Sequence, residues 1–320
     1  MPDVRVGIVS WNTGALLERC LRALPAALEG VDAEVVVVDN ASDDDSVERA
    51  KAFDGVRVVR NGDNVGYARA MNQALEGTNA PYLIALNPDT EPPPRSLATL
   101  VRALGAKADV ALVAPRLVNS DGSDQHSVYR FPSVAVAAAV CWLPRRMHRG
   151  AVGRRLWLEG GADHRKSGDV DWAIGAVHCI RRAALDGELP YSERWFMYVE
   201  DLDLCARLHA RGWRVVFDAD VVVPHVGNAA GEVAWGDRRT AMWFDATYDW
   251  YALERGPLRA WLWAAVNAGG LTVKIAWAEV AGALPLPRRA WRRTWAGELK
   301  GWLRLHWRKL AQGPRAAASS

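Results

Sequence analysis

The sequence has few of the residues that would build a disulfide framework or a zinc site. Its 320 residues include only four cysteines, and none of them belongs to a CxxC pair or to a Cys/His cluster with zinc spacing. The cysteines are Cys20, Cys141, Cys179 and Cys205. This pattern is typical of reduced thiols that fill small places in a core. We therefore expect neither disulfides nor a structural zinc ion.

The chain also lacks the signals that direct a protein into or across a membrane. Its N-terminus has no charged region followed by an apolar block, so the sequence predicts an intracellular protein. Residues 260–273 form an uncharged stretch of 14 residues. A helix needs about 20 apolar residues to cross a bilayer. No transmembrane segment is expected.

The glycine-rich GxGxxG turn of dinucleotide-binding proteins is missing after the first predicted strand, which runs into Ser10-Trp11-Asn12-Thr13-Gly14. A nicotinamide or flavin enzyme is therefore disfavoured. What the chain does have is short apolar runs that alternate with helical patterns. The runs at 4–9, 34–39, 56–60, 82–86 and 110–114 predict strands, and the patterns at 14–28, 43–53 and 64–75 predict helices, the last capped by Asn64. This alternation predicts an α/β fold with a parallel sheet.

Three acidic motifs follow one another along the chain. Asp39 and Asp89 each come after an apolar run, and Glu200-Asp201 opens a predicted helix. Ligands of open α/β sheets bind beyond the carboxyl ends of the strands, so these carboxylates are expected to converge on one edge. Such an edge can handle a metal-bound diphosphate, which indicates an enzyme.

Five motifs in this order resemble the family 2 inverting glycosyltransferases of the GT-A fold. They are Val-Ser-Trp-Asn at 9–12, Val-Asp-Asn-Ala-Ser-Asp-Asp at 38–44, Asn-Val-Gly-Tyr-Ala-Arg-Ala-Met-Asn at 64–72, Leu-Asn-Pro-Asp-Thr at 86–90 and Trp-Phe-Met-Tyr-Val-Glu-Asp-Leu-Asp-Leu-Cys at 195–205. The Asn-Pro-Asp-Thr form is most similar to rhamnosyltransferase-like members. The likeness covers residues 4–250 and implies a GT-A catalytic domain at 1–255 followed by a basic, Trp-rich helical tail at 256–320.

The resemblance also implies which residues bind the nucleotide-diphospho-sugar donor. Asp39 matches the carboxylate that accepts a hydrogen bond from a pyrimidine N–H, and an ionised carboxylate suits that role because it only accepts. Gly175 and Ala176 lie where the backbone approaches the donor sugar, which a residue without a side chain permits. The other donor-binding candidates are Ser10, Asn12, Asn64, Gly66, Arg69, Asn72 and Asn87.

Asn87-Pro88-Asp89 stands where the family has its Asp-x-Asp metal motif, so Asp89 is the implied ligand of a divalent cation, Mn²⁺ or Mg²⁺. His225 is the implied further ligand, and its imidazole suits manganese better than magnesium. One carboxylate, a diphosphate and one more protein ligand can hold such an ion. Asn87 replaces the first carboxylate of the motif, which weakens the expectation of strict metal dependence.

Asp201 matches the catalytic base of the family. Direct displacement at the anomeric carbon needs a base that takes the proton of the acceptor hydroxyl from the face opposite the leaving diphosphate. Glu200, Asp203 and Trp172 are candidates for the acceptor side. For Glu200 and Asp203 the alternative is an ion pair with an arginine, and for Trp172 it is ordinary strand packing.

The tail is a separate electrostatic unit. Residues 256–320 carry eleven Lys and Arg against two Glu, so the first 255 residues hold a net charge of −6 within the total of +3. A helical stripe of Trp291, Trp295, Leu299, Trp302, His306 and Leu310 lies beside a basic face of Arg292, Lys300, Arg304 and Arg308. This pattern predicts a helix that either binds an anionic membrane surface or packs on the catalytic domain or on a second subunit. Nucleic acid is disfavoured because the acidic catalytic part repels phosphates.

The sequence thus predicts transfer of a single sugar, with rhamnose as the candidate, to a glycan or lipid-linked acceptor at the inner face of the membrane. The Gln-x-x-Arg-Trp motif of processive synthases is missing. Two other hypotheses remain. A sugar nucleotidyltransferase would need a glycine-rich, lysine-containing loop after the first strand, which is missing here. A catalytically silent membrane-associated module that binds nucleotide sugar would fit the replacement by Asn87.

Overall fold

The computed structural model describes residues 1–148, 150–156, 158, 163–227, 238–283 and 289–314. The chain divides into two compact units. One comprises residues 1–129 and 163–239, and the other comprises residues 130–162 and 240–320. The predicted boundary between residues 255 and 256 therefore lies inside the second unit.

The first unit is built on an eight-stranded sheet in the order β3-β2-β1-β4-β9-β5-β10-β7. Its strands are β1 (Val4–Ser10), β2 (Ala33–Asp39), β3 (Val56–Arg60), β4 (Tyr82–Leu86), β5 (Val110–Val118), β7 (Gly168–Asp169), β9 (Val177–Arg181) and β10 (Arg214–Pro224). Strands β1 to β4 are parallel to one another, as are β5 and β10. Strand β9 runs antiparallel between β4 and β5. A separate antiparallel pair joins β6 (Val128–Tyr129) to β8 (Trp172–Ala173).

Helices are numbered in chain order through both units. Those of the first unit are α1 (Gly14–Ala27), α2 (Ser46–Lys51), α3 (Tyr67–Leu75), α4 (Ser96–Gly105) and α8 (Glu200–Ala210). Every residue of β1 is buried, and Leu17, Leu21 and Leu24 of α1 are buried in the same core cluster. A strand buried on both faces reads as a continuous apolar run, which is why periodicity identified it.

The predicted α/β class with a mainly parallel sheet is confirmed, and each predicted strand overlaps an observed one. One cap was wrong. Helix α3 begins at Tyr67, and its N-cap residue is Gly66, in a left-handed conformation. The side chain of Asn64 instead accepts hydrogen bonds from the Gly66 backbone and from Asn40, so it organises the loop before the helix.

The topology explains why polar residues collect at one edge. Strand β1 lies between β2 and β4, and the chain returns to opposite sides of it. Asp39 is the last residue of β2, and Asp89 follows β4 by three residues. Both stand beyond carboxyl ends at the point where the strand order reverses, which is where open α/β sheets bind ligands.

The second unit is helical. Its helices are α5 (Val134–Trp142), α6 (Arg145–His148), α7 (Ala151–Arg155), α9 (Arg238–Arg255), α10 (Pro257–Ala283) and α11 (Arg289–Ala311). Leu299 of α11 packs against Leu271 and Ile275 of α10, and His306 is buried. The stripe predicted for the tail therefore packs in part within its own unit. The side chains of Trp291 and Arg292 fall outside the described part.

None of the helices in the described ranges has an apolar stretch long enough to cross a bilayer.

Candidate active site

Asp39 ends β2, and the loop that follows it contributes to a cleft of about 380 Å³ lined by Ala41, Ser42, Asp43, Arg60, Asn61 and Gly62. The carboxylate is buried, and its Oδ2 accepts a hydrogen bond from the Ser42 backbone N–H at 3.1 Å. The Arg60 guanidinium lies 3.8 Å from the same oxygen. The other oxygen, Oδ1, is buried without a hydrogen-bond partner. A buried acceptor with no donor is costly, so Asp39 is suited to receive an N–H group from a ligand.

Of the predicted donor residues, Asn12 binds the loop after β1 to the loop after β2, and the Ser10 hydroxyl bonds within the first of these loops. The Ser10 and Thr13 hydroxyls lie 2.9 Å apart and are buried. Asn12 has a left-handed backbone, donates its N–H to the Ser42 hydroxyl and accepts from the Asp43 N–H at 2.8 Å. These hydrogen bonds stabilise the loops at the rim of the cleft, so the polar atoms of Ser10 and Asn12 that take part in them have a structural role.

An amide network, which the sequence did not indicate, connects the second loop to α3. The Asn40 side chain donates to Asn64 Oδ1 at 2.8 Å and accepts from the Val65 N–H at 3.1 Å. Asn61 donates to Asn40 Oδ1 at 3.1 Å. The predicted residue Asn64 therefore holds the loop conformation. Asn40 and Asn61 carried no local signal because their partners lie about twenty residues away in sequence.

Gly66 is required where the loop meets the segment before α8. Its φ is +86°, and a Cβ there would lie 2.5 Å from the Phe196 carbonyl oxygen. The next residue, Tyr67, donates its N–H to that same oxygen at 2.7 Å. Only glycine accepts both the left-handed backbone and the close approach. This contact joins α3 to the segment that leads to Glu200 and Asp201.

Asn72 and Arg69 are placed apart. Asn72 is buried, donates to the Tyr191 carbonyl at 2.8 Å and accepts from the Tyr191 N–H at 3.1 Å. For Asn72 the resemblance implies a role at either the sugar or the loop, and these bonds place its amide on the loop before α8. Arg69 is exposed, and its nearest carboxylate is Glu193 at 3.9 Å. Arg69 therefore lies on the exposed side of α3, and Asn72 lies on the buried side.

The backbone before α8 is strained. Tyr198 and Val199 have φ of +67° and +73°, a conformation that a β-branched residue rarely adopts. Such strain costs about 1–3 kcal/mol per residue and persists only where surrounding contacts impose it. Here it sets the direction in which the first residues of α8 project. Leu204, Cys205 and Leu208 follow Asp201 at i+3, i+4 and i+7 on the same face of α8, and all three are buried, which fixes the helix.

Asp201 lies at the first turn of α8 with its carboxylate against the backbone of Gly175. Oδ2 accepts from the Gly175 N–H at 3.0 Å, and Oδ1 accepts from the Leu202 N–H at 2.7 Å. Burial raises the pKa of Asp201 to about 6, although these two backbone hydrogen bonds lower it. A carboxylate that titrates near neutral pH is suited to exchange a proton with a hydroxyl.

Glu200, the preceding residue, is also buried, and its Oε2 has no hydrogen-bond partner. Burial, followed by the charge of Asp201, raises the pKa of Glu200 well above its ordinary value. Two neighbouring acids in such surroundings share their titration, so the apparent values belong to the pair. No arginine contact is recorded for Glu200 in the described residues, in contrast with Asp203.

Asp203 pairs with Arg207 at 3.0 Å on the same helix, which is the alternative that the sequence left open. Trp172 is buried and stacks on Tyr129 with ring centroids 4.6 Å apart. Because β6 pairs with β8, this stack is built into the small sheet.

Asp89 and His225 meet at the end of β10. His225 Nε2 lies 3.2 Å from Asp89 Oδ1, and both side chains are buried. The backbone N–H of Val226 donates to the Asp89 carbonyl at 2.9 Å, which fixes the two segments together. On its other side, His225 Nδ1 lies 2.7 Å from Gln125 Oε1. No local pattern in the sequence indicated Gln125.

This pair fits a divalent cation in its donor chemistry. The Asp89 oxygen and the His225 nitrogen are adjacent, and Nε2 is buried without a hydrogen-bond partner. No group of three or more His, Cys, Asp or Glu side chains that could hold a metal occurs among the described residues. The pair would therefore need a diphosphate or water to complete the coordination of a metal.

Tyr67 connects the acidic groups. Its hydroxyl donates to the Gly175 carbonyl at 3.3 Å. Burial raises the pKa of this hydroxyl well above its ordinary value. The charges that raise it further are those of Glu200, Asp201 and Asp89. One half-buried side chain thus interacts with the carboxylate after β4 and with those of α8, so the structure brings Asp89 and Asp201 into one region.

A sequence model of glycosyl transferase family 2 matches residues 5–168, just over half of the 320 residues. The chain belongs to glycosyl transferase family 2. Its membership and the predicted GT-A fold are confirmed, and this family 2 glycosyltransferase transfers sugar from a nucleotide sugar. The family match includes Asp39 and Asp89 and stops before α8.

Curated relatives match about two thirds of the length of this glycosyltransferase. An N-acetylglucosaminyl-diphospho-decaprenol L-rhamnosyltransferase of Mycobacterium tuberculosis is 29% identical over 245 residues, which is 70% of this chain and 76% of that protein. A low-salt glycan biosynthesis hexosyltransferase of Haloferax volcanii is 24% identical over 211 residues, or 65% of this chain and 62% of that protein.

Solved structures show the same fold at low identity. A mannosyltransferase of Pyrobaculum calidifontis, solved with GDP-Man and Mn²⁺, superposes with a TM-score of 0.59 at 20% identity, covering 97% of this chain and 85% of that one. The structure of GalNAc-T7 with UDP, GalNAc and Mn²⁺ superposes with a TM-score of 0.53 at 17% identity, covering 81% and 52%.

Proposed function

We propose that this glycosyltransferase is an inverting enzyme in which Asp201 is the general base and Asp89 with His225 holds a divalent cation. The observation that carries the proposal is the Asp201 carboxylate with its pKa raised to about 6, bound to Gly175 beside Tyr67. Asp201 takes the proton of the acceptor hydroxyl as the new glycosidic bond forms. Departure of the diphosphate on the opposite face then inverts the anomeric centre.

The donor would be held from the cleft beside β2 to the end of β4. Asp39 Oδ1, buried and unpaired, accepts the N–H of a pyrimidine base. A Cβ at Gly175 would lie 3.5 Å from the Cβ of Asp201 and 3.8 Å from its Oδ2, so glycine keeps side-chain atoms away from this carboxylate, where the sugar would approach. A divalent cation at Asp89 and His225, when bound, neutralises charge on the leaving diphosphate.

The donor sugar and acceptor are proposed from the relatives. The Mycobacterium tuberculosis relative is named as a rhamnosyltransferase that acts on a decaprenol-linked N-acetylglucosamine. We propose rhamnose as the sugar and a hydroxyl of a lipid-linked glycan precursor as the acceptor. At 29% identity the relative favours this substrate class among glycosyltransferase donors.

A lipid-linked acceptor is reached at a membrane surface. We propose that α10 of the second unit binds this membrane surface. Leu258, Leu262, Val273, Trp277 and Val280 of α10 are all exposed. At 100° per residue they lie along one side of the helix, which makes an apolar stripe of the kind found on interfacial helices. Part of the basic face predicted for α11 is already paired: Lys300 binds Glu279, and Arg308 binds Asp245.

Binding to membrane is tested by sedimentation with vesicles rich in phosphatidylglycerol. Val273→Asp with Val280→Asp places two charges on the stripe without touching the core, and we expect binding to fall at least about tenfold because interfacial binding scales with buried apolar area. Ala311→Asp with Gln312→Asp adds the same charge at exposed positions of the C-terminal end, and binding should fall less. If both double variants lose vesicle binding equally, the loss comes from added negative charge in general, and the apolar stripe of α10 is not the membrane-binding surface.

The enzymatic proposal is tested by incubating the protein with nucleotide sugars and Mn²⁺. Slow hydrolysis to the nucleoside diphosphate is expected, together with transfer to an acceptor whose new linkage has the anomeric configuration opposite to that of the donor. Release of a nucleoside monophosphate would indicate a nucleotidyltransferase. Tight binding of nucleotide sugar without any turnover would indicate a silent binding module.

A further inference from the structure

We propose that Gln125 is a positioning residue for His225. It holds the imidazole in the tautomer whose Nε2 lone pair faces Asp89, and a hydrogen-bond relay that starts at Asp121 sets this orientation. The inference rests on the proposed function, in which Asp89 and His225 hold the cation. It concerns how the protein presents one of these two ligands.

The relay is carried by a turn between β5 and β6. The Gly122 N–H donates to the Asn119 carbonyl at 2.9 Å, with Gly122 in the left-handed region at φ +78°. Asn119 and Gln125 are held across the turn, since the Asn119 N–H donates to Ser123 and the Gln125 N–H donates to Leu117 at 3.0 Å. The backbone therefore holds the side chains of the turn in register.

The direction of each hydrogen bond in the relay follows from the carboxylate at its start. The Ser123 hydroxyl lies 2.6 Å from Asp121 Oδ1 and donates to it, since an ionised carboxylate can only accept. The hydroxyl of Ser123 therefore accepts from Asn119 Nδ2, at 2.9 Å. This orients the Asn119 amide, whose Oδ1 faces Gln125.

The second half of the relay connects Asn119 to His225 through the side chain of Gln125. Gln125 Nε2 donates to Asn119 Oδ1 at 3.3 Å, which turns Gln125 Oε1 toward His225. Oε1 is an acceptor and lies 2.7 Å from His225 Nδ1, so the ring proton must be on Nδ1. Reversing any one amide would put two acceptors or two donors in contact.

This tautomer determines the state of Nε2, the other ring nitrogen of His225. In the neutral ring with its proton on Nδ1, Nε2 carries a lone pair, and that atom is buried without a hydrogen-bond partner. It faces Asp89 Oδ1 at 3.2 Å. Two acceptors in buried contact repel one another unless a cation lies between them, and orienting a ligand in this way is the usual task of the groups behind a metal-binding histidine.

Space around Gln125 is restricted as well. A Cβ at Gly227, whose φ is +78°, would lie 2.9 Å from Gln125 Nε2. The His225 backbone N–H donates to the Val118 carbonyl at 2.9 Å, so the histidine is also fixed by its main chain. The side chain of Gln125 therefore selects the ring tautomer, while the backbone sets the position of the ring.

The tautomer is tested directly by nitrogen-15 spectra of the His225 ring in metal-free protein, under conditions where the spectra show the neutral ring. We expect the proton on Nδ1 in the natural protein. In Gln125→Met, which removes the acceptor at similar volume, the proton should move to Nε2, where it can donate to Asp89. An Nε2-protonated ring in the natural protein would overturn the proposal.

Metal affinity gives the second readout, with Mn²⁺ alone as the probe in calorimetry. Gln125→Met should bind Mn²⁺ about 10- to 100-fold more weakly, the usual effect of losing a group behind a metal ligand. Gln125→Glu keeps an acceptor for Nδ1–H but loses the donor to Asn119, so it should bind Mn²⁺ more tightly than Gln125→Met does. Melting temperatures of both variants report whether they fold.

These measurements separate the inference from the proposed function. If the natural protein and Gln125→Met bind Mn²⁺ equally and share one tautomer, the relay has no positioning role while the cation site stands. If the natural protein binds no Mn²⁺ but its ring is protonated on Nδ1, the relay stands and the cation site is wrong.

Discussion

The Asp201 carboxylate accepts a hydrogen bond from the Gly175 backbone N–H at 3.0 Å, and this contact ties the first turn of α8 to the loop before β9. The next residue, Ala176, accepts from the Asn87 N–H at 2.9 Å. Asn87 is two residues before Asp89. A short chain of backbone contacts thus runs from the proposed base to the proposed cation ligand, so movement of one element would disturb both.

Asp201→Asn should slow sugar transfer at least about a hundredfold, the usual scale for loss of a general base. The amide can still accept from Gly175, so the fold and nucleotide binding should be retained. Turnover is measured against donor affinity in the same preparation. Asp203→Asn is the matched change two residues away, where the carboxylate is bound to Arg207, and it should keep kcat. Natural turnover in Asp201→Asn would remove this residue from the mechanism.

The rate should depend on pH through the acidic pair. Because burial raises the pKa of Asp201 to about 6, kcat/KM should fall as the pH drops below about 6, where the base becomes protonated. Glu200 shares the titration, so the midpoint is that of the pair. A pH–rate profile that stays flat from about pH 5 to 8 would contradict a carboxylate base with this pKa.

The raised pKa of Asp201 also predicts that folding stability changes with pH in the direction opposite to the rate. The folded pKa of Asp201, about 6, lies above the unfolded value of about 3.9, so folding favours the protonated acid. Stability from this residue is present below about pH 4 and is lost as the pH rises toward about 6. Between about pH 4 and 6 the stability of Asp201→Asn should therefore rise relative to that of the natural protein by up to about 3 kcal/mol. Urea unfolding across this range measures the difference, and a gap that shrinks with rising pH would refute it.

Gly66→Ala should destabilise the first unit by more than its left-handed backbone alone explains. The added Cβ meets the Phe196 carbonyl oxygen at 2.5 Å, so the segment before α8 must shift. Gly30→Ala is the matched control, because Gly30 has a similar φ of +81° with nothing within 4 Å. We expect a loss of about 1 kcal/mol in the control and at least about twice that in Gly66→Ala. Equal losses would show that the contact with Phe196 is unimportant.

Asp39→Asn should weaken pyrimidine nucleotide binding by about tenfold or more, since hydrogen bonds to charged groups contribute about 1.5–3 kcal/mol. Calorimetry with UDP and dTDP measures the effect. A UDP whose base N3 is methylated cannot donate, and it should bind the natural protein and the variant with similar weak affinity. If methylation leaves binding to the natural protein unchanged, Asp39 does not read the base.

Local patterns predicted the first half of the fold closely, because β1, β2 and β4 are buried on both faces and read as apolar runs. The antiparallel strand β9 was not predicted, since strand direction depends on how the chain returns and leaves no mark on periodicity. The backbone conformation of Tyr198 and Val199 was even harder to predict from the sequence. Aromatic and β-branched residues rarely take positive φ, so propensity points away from the strain that directs Asp201.

The sequence by itself determined the α/β class, the positions of Asp39, Asp89 and Asp201 at the ends of elements, and the likeness to family 2 glycosyltransferases. Those features depend on residues near one another in the chain. Tertiary structure alone decided that Asn72 clamps Tyr191, that Asn40 joins two loops and that Gln125 stands behind His225. The physical reason is that a polar side chain takes its role from its partner, and these partners are separated by 25 to 119 residues.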